Sequence, residues 1–329
     1  VETAEKITNQ KIKYLFIDEA QVVKGWETYV KSAYDSELFS KIFVTGSNSS
    51  FLNSEHSTLL SGRYLDEKVF PYSFNEILSQ HHINTYLEAL NEVPTVLRLM
   101  DESIQWGCFP EINQINNDDL KSSLLKSYFD SIIMKDCVQR YQIGEIAAFK
   151  KILLYLISNS GSIFSYKSLG TAIGSNEHTA KKYIQILDDS HIIQDISNFA
   201  FSLKENVRNS HKIYVADNGI TNAVSYRFWD HKAKLFENFV FNELQKQNHE
   251  EITFANHKGE CDFVIKKGLN YQAVQVCYEI TPLNLAREMG GFSDIEKIVK
   301  LSKKTIITYN QSNKINDIDI IPFWKWTLE

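Results

Sequence analysis

Two carboxylates stand side by side at Asp18-Glu19, directly after the apolar run Tyr14-Leu15-Phe16-Ile17 and before Ala20-Gln21. An aspartate so placed can hold the Mg²⁺ of a bound nucleotide, directly or through water. A glutamate beside it can orient or deprotonate the attacking water. Small polar groups, Ser47 and Asn48, end a second apolar run at Lys41-Ile42-Phe43-Val44 and could sense a terminal phosphate. Arg63, in Leu59-Leu60-Ser61-Gly62-Arg63-Tyr64, could meet transition-state charge. A plainer reading is equally open. Asp18 and Glu19 can end a strand and cap the next element, and a lone arginine most often forms a surface ion pair.

The elements that must position these groups are two strands and a helix. Short apolar runs suit strands buried on both faces of a parallel sheet. A strand ending in Asp-Glu puts its charges at the carboxyl edge, where open α/β sheets keep their ligands. Trp26, Tyr29, Val30 and Ala33 recur at helical spacing between the runs, so the order is strand–helix–strand. The Asp-Glu ending is a Walker-B-like signal. Val1 to Gln10 is polar and suits the tail of a helix feeding the first strand. Ser73 and Glu76 have capping-box spacing, which starts a helix at Phe74.

Together, Tyr14–Gln21, Gly25-Trp26-Glu27, Lys41–Ser49, Leu59–Tyr64 and Phe70–Leu78 resemble the second half of a prokaryotic AAA-type ATPase. The family meant carries a C-terminal domain of unknown function, built from a winged helix and a restriction-endonuclease-like fold. The resemblance continues over nearly the whole chain. It implies ATP and Mg²⁺ as cofactors of the intact protein, Asp18 as the Mg²⁺ contact and Glu19 as catalytic base. It also implies Ser47, Asn48 and Arg63 as sensors of the phosphates. A phosphate loop needs Gly-x-x-x-x-Gly-Lys-Ser/Thr, because backbone amides and a lysine must cradle the phosphates. No such stretch occurs in these 329 residues, and Val1 is not an initiator methionine. The expectation is an N-terminally truncated chain whose phosphate loop lies upstream, and which does not hydrolyse ATP as it stands.

Composition narrows the class. A hydrophobic content of 43% supports packed cores, and a net charge of −6 gives no overall nucleic-acid footprint. Cys108, Cys137, Cys261 and Cys277 form no C-x-x-C pair, so neither zinc nor a disulfide framework is indicated. No apolar run approaches the roughly 20 residues of a membrane span. The expectation is a cytoplasmic protein with reduced thiols and no membrane partner.

The expected architecture is α/β multidomain. A partial P-loop AAA-type parallel sheet occupies residues 1–78, a helical connector 79–145, a winged helix-turn-helix 146–210, and a restriction-endonuclease-like α/β domain 211–329. In the connector, Gly107-Cys108-Phe109-Pro110-Glu111 interrupts the helical pattern as a packing turn that resembles the family's signature. In the third unit, Phe149, Ile152, Leu153, Leu156 and Ile157 mark the first helix, and Glu177 to Ser190 form the third. His191–Ile196 and Phe199–Leu203 are expected to pair as the wing. If the unit reads DNA, His178, Lys181, Lys182 and Gln185 make the contacts, the lysines mainly to phosphate. Residues 146–210 carry 7 Lys/Arg against 5 Asp/Glu, a weak excess that leaves a protein-packing module as the alternative. DNA, a protein partner and self-association are therefore the candidate partners.

In the last unit, Glu237 lies early in a helix, and Glu260 and Asp262 share one face of an alternating strand. Ala273–Tyr278 forms the partner strand, and Lys212-Ile213-Tyr214-Val215-Ala216-Asp217-Asn218-Gly219 is an earlier strand ending in a polar turn. Helix Glu, strand Asp and a following strand resemble the nuclease core, whose acids hold a Mg²⁺ that makes hydroxide. The resemblance breaks at its last element. Gln275 stands where the acid belongs and Cys277 where the lysine belongs, and neither supplies the charge. Glu237, Glu260 and Asp262 could still gather a hard cation. Mg²⁺-dependent nuclease activity is thus the second functional reading, and a regulator that does no chemistry is the third. Near the C-terminus, Ile318–Pro322 reads as an edge strand followed by an aromatic tail that buries Trp324 or Trp326.

Overall fold

A computed structural model describes residue 7 and residues 11–47, 59–200, 210–225, 232–247, 249–256 and 259–329. They fall into two compact units, Val1–Val69 with Asp189–His191, and Phe70–Asp188 with Ile192–Glu329.

In the small unit, β1 (Tyr14–Ile17) and β2 (Lys41–Val44) pair in parallel, with Phe16 opposite Phe43. Between them runs α1 (Trp26–Asp35). Trp26, Val30 and Ala33 are buried; Tyr29, from the same expected stripe, is half exposed. Trp26, Val30, Ala20 and Leu60 form a small core against Ile17, Ile42 and Val44. The strands are therefore not buried on both faces, as their apolar runs suggest. Their other face is open among the described residues, where Phe16 and Phe43 stack at 4.8 Å while remaining exposed.

The large unit begins with helices: α2 (Phe74–Gln80), α3 (Tyr86–Asn91), α4 (Val93–Trp106), α5 (Pro110–Asn113) and α6 (Asp118–Ser131). The expected capping box is present, since Ser73 N donates to Glu76 Oε2 at 2.7 Å and Glu76 N to Ser73 Oγ at 3.2 Å. A boundary at residue 78 cuts through α2. Phe74 is fully buried against Phe239 and Phe323, which places this helix in the core of the large unit.

Next come α7 (Ile146–Ser158), β3 (Ile163–Phe164), α8 (Tyr166–Ala172), α9 (Glu177–Asp189), β4 (Ile193–Ser197) and β5 (His211–Val215). The sheet order is β3-β5-β4, and both pairings are antiparallel. Among the described residues the partner of β4 is His211–Val215. Of the stretch expected to pair with it, residues 201–203 lie outside the described residues. The sheet draws on residues past the expected boundary at 210, because β5 is its central strand. Its residues are all buried, so it can serve the sheet and also present side chains to the helix and strands that succeed it in the chain.

Then come α10 (Asn218–Val224), α11 (Lys232–Gln245), β6 (Glu251–Asn256), β7 (Glu260–Lys267), β8 (Asn270–Cys277) and α12 (Leu285–Glu296). The chain closes with β9 (Leu301–Thr308), β10 (Asn313–Ile315), β11 (Ile318–Pro322) and α13 (Phe323–Leu328). The sheet order is β10-β11-β9-β8-β7-β6, with β8-β9 and β9-β11 parallel. Phe236, Phe239 and Phe241 of α11 pack with α2, α4 and α13 in one core, and Phe292 and Ile295 of α12 pack in another. Ile318–Pro322 is not an edge strand as expected, because β10 covers it. Trp324 is buried in α13.

Candidate functional site

At the carboxyl edge of β1 and β2 the ladder extends one step, with Thr45 N donating to Ile17 O at 2.9 Å and Ala20 N to Thr45 O at 3.1 Å. This brings the Thr45 hydroxyl to Asp18, to which it donates at 2.5 Å, and it accepts from Glu19 N at 3.2 Å. Gln21 Nε2 donates to Glu19 Oε2 and lies 3.5 Å from Ser47 Oγ. Glu19 has φ 48 and ψ 48, a left-handed conformation that a non-glycine residue rarely adopts and that clusters at functional sites. Asp18 and Glu19 therefore share Thr45 as a partner, Ser47 comes within 3.5 Å of Gln21, and Thr45 and Gln21 are additions to the expected set. Thr45 stands among the small polar residues that end the second run, but only Ser47 and Asn48 are singled out there. Asn48 lies outside the described residues. Arg63 is held elsewhere, 3.4 Å from Asp35 at the end of α1 in a partly exposed ion pair. Carboxylate and hydroxyl oxygens of this kind suit Mg²⁺, which takes oxygen ligands and keeps several waters.

The second cluster lies in the large unit. Glu237 comes from the first half of α11, and Glu260 and Asp262 from one face of β7. All three converge, but on an ammonium: Lys212 Nζ lies 3.1 Å from Glu237, 2.8 Å from Glu260 and 3.2 Å from Asp262. Lys212 is wholly buried on β5, while Glu260 is half exposed. Tyr214, two residues on and facing the same way, donates to Glu237 Oε1 at 2.6 Å. Val276 N donates to the second oxygen of Asp262 at 2.9 Å.

Burial opposes the charge on Lys212. The Tyr214 oxygen and the carboxylates of Glu237, Asp262 and Glu260 outweigh it and raise its pKa well above the usual value. Burial, then Glu237, pushes Asp262 up to about 7. Among the described residues no group of three or more His, Cys, Asp or Glu is arranged to hold a metal ion.

Gln275 and Cys277 have roles of their own. Gln275 accepts from Asp262 N at 3.1 Å and donates at 2.8 Å to Glu288, a buried acid of α12 paired with Arg287. Burial pushes the Cys277 thiol up to about 11, so it stays neutral near pH 7. Reading along the strands missed Lys212, Tyr214 and Glu288. The available signal was a lysine inside an otherwise apolar strand.

Two motifs far apart in sequence form one joint. Asp217 caps α10 through Gly219 N at 2.8 Å, and its other oxygen accepts from Cys108 N at 2.7 Å. An added Cβ on Gly107 would lie 1.7 Å from Asp217 Oδ1. Asn218 donates to Ile104 O at 3.2 Å and Leu235 O at 2.8 Å. Burial raises Asp217 to about 6 against the pull of these amides. The turn at Gly107–Glu111 thus packs, as expected, and its partner is Asp217.

On α9, His178, Lys181, Lys182 and Gln185 are all exposed along one face, at spacings of three and four. The Lys181 ammonium lies 5.9 Å from the Tyr166 ring centre. No helix among the described residues is long and apolar enough to cross a membrane, and the four cysteines are buried.

Residues 1–78 match the model of an AAA domain, and residues 97–230 match a domain of unknown function, DUF8612. The uncharacterized protein MJ1544 of Methanocaldococcus jannaschii is 33% identical over 336 residues, covering 96% of this chain and 75% of that protein. An uncharacterized protein of Haemophilus influenzae is 28% identical over 333 residues, covering 99% of this chain and 80% of that protein. No solved structure matches. An AAA domain at the N-terminal end, followed by a domain of unknown function, places this chain in the family of MJ1544.

Proposed function

We propose that the small unit is the hydrolytic edge of an AAA-type ATPase, working with a phosphate-binding loop supplied from outside these residues. One observation carries this reading: Asp18 and Glu19 project from the end of a parallel strand pair, with Thr45 bonded to both. Bound MgATP supplies the phosphoryl group to be transferred. Asp18 and the Thr45 hydroxyl offer oxygens to the hydrated Mg²⁺. Glu19 orients the attacking water and accepts its proton at a carboxylate oxygen. Its left-handed backbone turns the side chain away from the strand path, and Gln21 fixes it. Ser47 reads the terminal phosphate. The Asp35–Arg63 pair must open before Arg63 can reach transition-state charge.

The test is Mg-ATP hydrolysis by this chain and by a longer form that carries a phosphate-binding loop, each beside its Glu19→Gln variant. Turnover by the loop-bearing form that falls at least ~100-fold in Glu19→Gln is expected. No turnover by either protein, or turnover indifferent to Glu19→Gln, overturns the assignment.

A second reading concerns α9. Its exposed face of His178, Lys181, Lys182 and Gln185 supports a winged-helix-like module that grips nucleic-acid phosphate. Duplex DNA affinity should fall with salt, and Lys181→Ala/Lys182→Ala should reduce the slope of log K against log salt by about 2. Binding that ignores both lysines, or no binding at low salt, rejects this reading.

A further inference from the structure

We infer that the Lys212 ammonium is the resident cation of the Glu237–Glu260–Asp262 cluster, standing where a nuclease-like core would hold a divalent metal. The match is one of count and geometry. An ammonium has three N–H donors and no acceptor, and three carboxylates surround Nζ at 2.8–3.2 Å. Tyr214 donates to the same Glu237 oxygen that Lys212 meets, and Val276 N holds the second oxygen of Asp262.

The lysine is rooted in a fixed strand. It rises from β5, which is hydrogen-bonded to strands on both sides and buried at every residue. A Mg²⁺ or Mn²⁺ at these oxygens needs ligands at roughly 2.0–2.2 Å, inside the space the ammonium fills. The carboxylates come from α11 and β7, whereas the cation comes from the three-stranded sheet. The charge that would have served catalysis instead ties that sheet to the six-stranded one. The large unit therefore does no metal-dependent phosphodiester chemistry at this cluster, and a divalent cation enters only when Lys212 is removed.

The experiment compares this chain with Lys212→Ala, Asp262→Asn and the double variant, by Mn²⁺ titration followed by electron paramagnetic resonance and thermal unfolding. Mn²⁺ at the separate Asp18–Glu19 edge is common to all four proteins and cancels in the comparison. The wild type should show no Mn²⁺ site that depends on Asp262. Lys212→Ala should gain one saturable site and a melting temperature raised by Mn²⁺ by at least ~5 °C, the scale that tight ligand binding produces. The double variant should lose both effects.

Should Lys212→Ala fold only when refolded with Mn²⁺, the inference is supported in its strongest form. Failure to fold with or without Mn²⁺, or folding without a gained site, overturns it. A saturable Mn²⁺ site in the wild type that disappears in Asp262→Asn overturns it as well, and returns the cluster to metal chemistry.

Discussion

Replacing Lys212 with methionine keeps an apolar stem of similar length and removes only the charge. The ion pair with half-exposed Glu260 contributes ~0–1 kcal/mol, as exposed pairs do. The pairs with Glu237 and Asp262 are buried, with side-chain exposures of 16% and 8%, and removing their shared cation strands two carboxylates. Breaking a buried pair in this way costs about 3–5 kcal/mol. At roughly 2–4 °C per kcal/mol for a unit of this size, the melting temperature at pH 8 should fall by roughly 6–20 °C.

The loss depends on pH in a definite direction. Asp262 in the fold sits at about 7, above its unfolded value of 3.8, so protonation favours the folded state. Without the ammonium its folded value rises further. At pH 5 the carboxyl is neutral in both proteins, and the part of the loss that belongs to Asp262 disappears. Calorimetric melts of wild type and Lys212→Met at pH 5 and pH 8 therefore decide the matter. A loss below ~1 kcal/mol at pH 8, or one as large at pH 5 as at pH 8, would refute the buried-cation argument.

Three further outcomes are expected of the same structure. Glu19→Gly relieves a left-handed residue that costs about 1–2 kcal/mol, so the small unit should be at least as stable in urea while turnover is lost; a marked destabilisation would count against strain at this position. Asp217 sits at about 6 in the fold against 3.8 in the unfolded chain, so its contribution is fully present below pH 3.8 and is lost as pH rises through 6. The stability of wild type relative to Asp217→Asn should accordingly fall between those pH values by up to about 1.4 kcal/mol per unit, and a flat difference would contradict it. Gly107→Ala must force Asp217 aside and lose the bond to Cys108 N, costing roughly 2–5 kcal/mol. Gly174→Ala, also at positive φ but with open space around it, should cost only about 1–2 kcal/mol, and equal losses would show that crowding is irrelevant.

Local information in the chain determined the features that local physics controls. Capping at Ser73-Glu76, the buried stripe of α7, the solvent face of α9 and the strand ending in Asp18-Glu19 depend on neighbours within a few residues, so spacing and side-chain type suffice to read them. The shared face of Glu260 and Asp262 comes from the two-residue period of a strand.

What only the tertiary structure decided involves partners distant in the chain. Thr45 reaches Asp18 because two parallel strands lie in register, which no single strand encodes. Lys212 reads as a strand residue until β5 carries it to carboxylates 25, 48 and 50 positions away. Asp217 reads as a turn former until α4 brings Cys108 to its free oxygen. Strand order is of the same kind: β4 chooses β5, and β10 covers β11, through contacts whose energy depends on the whole sheet. Burial then converts these meetings into chemistry, because a charge removed from water takes its behaviour from the groups that replace the water.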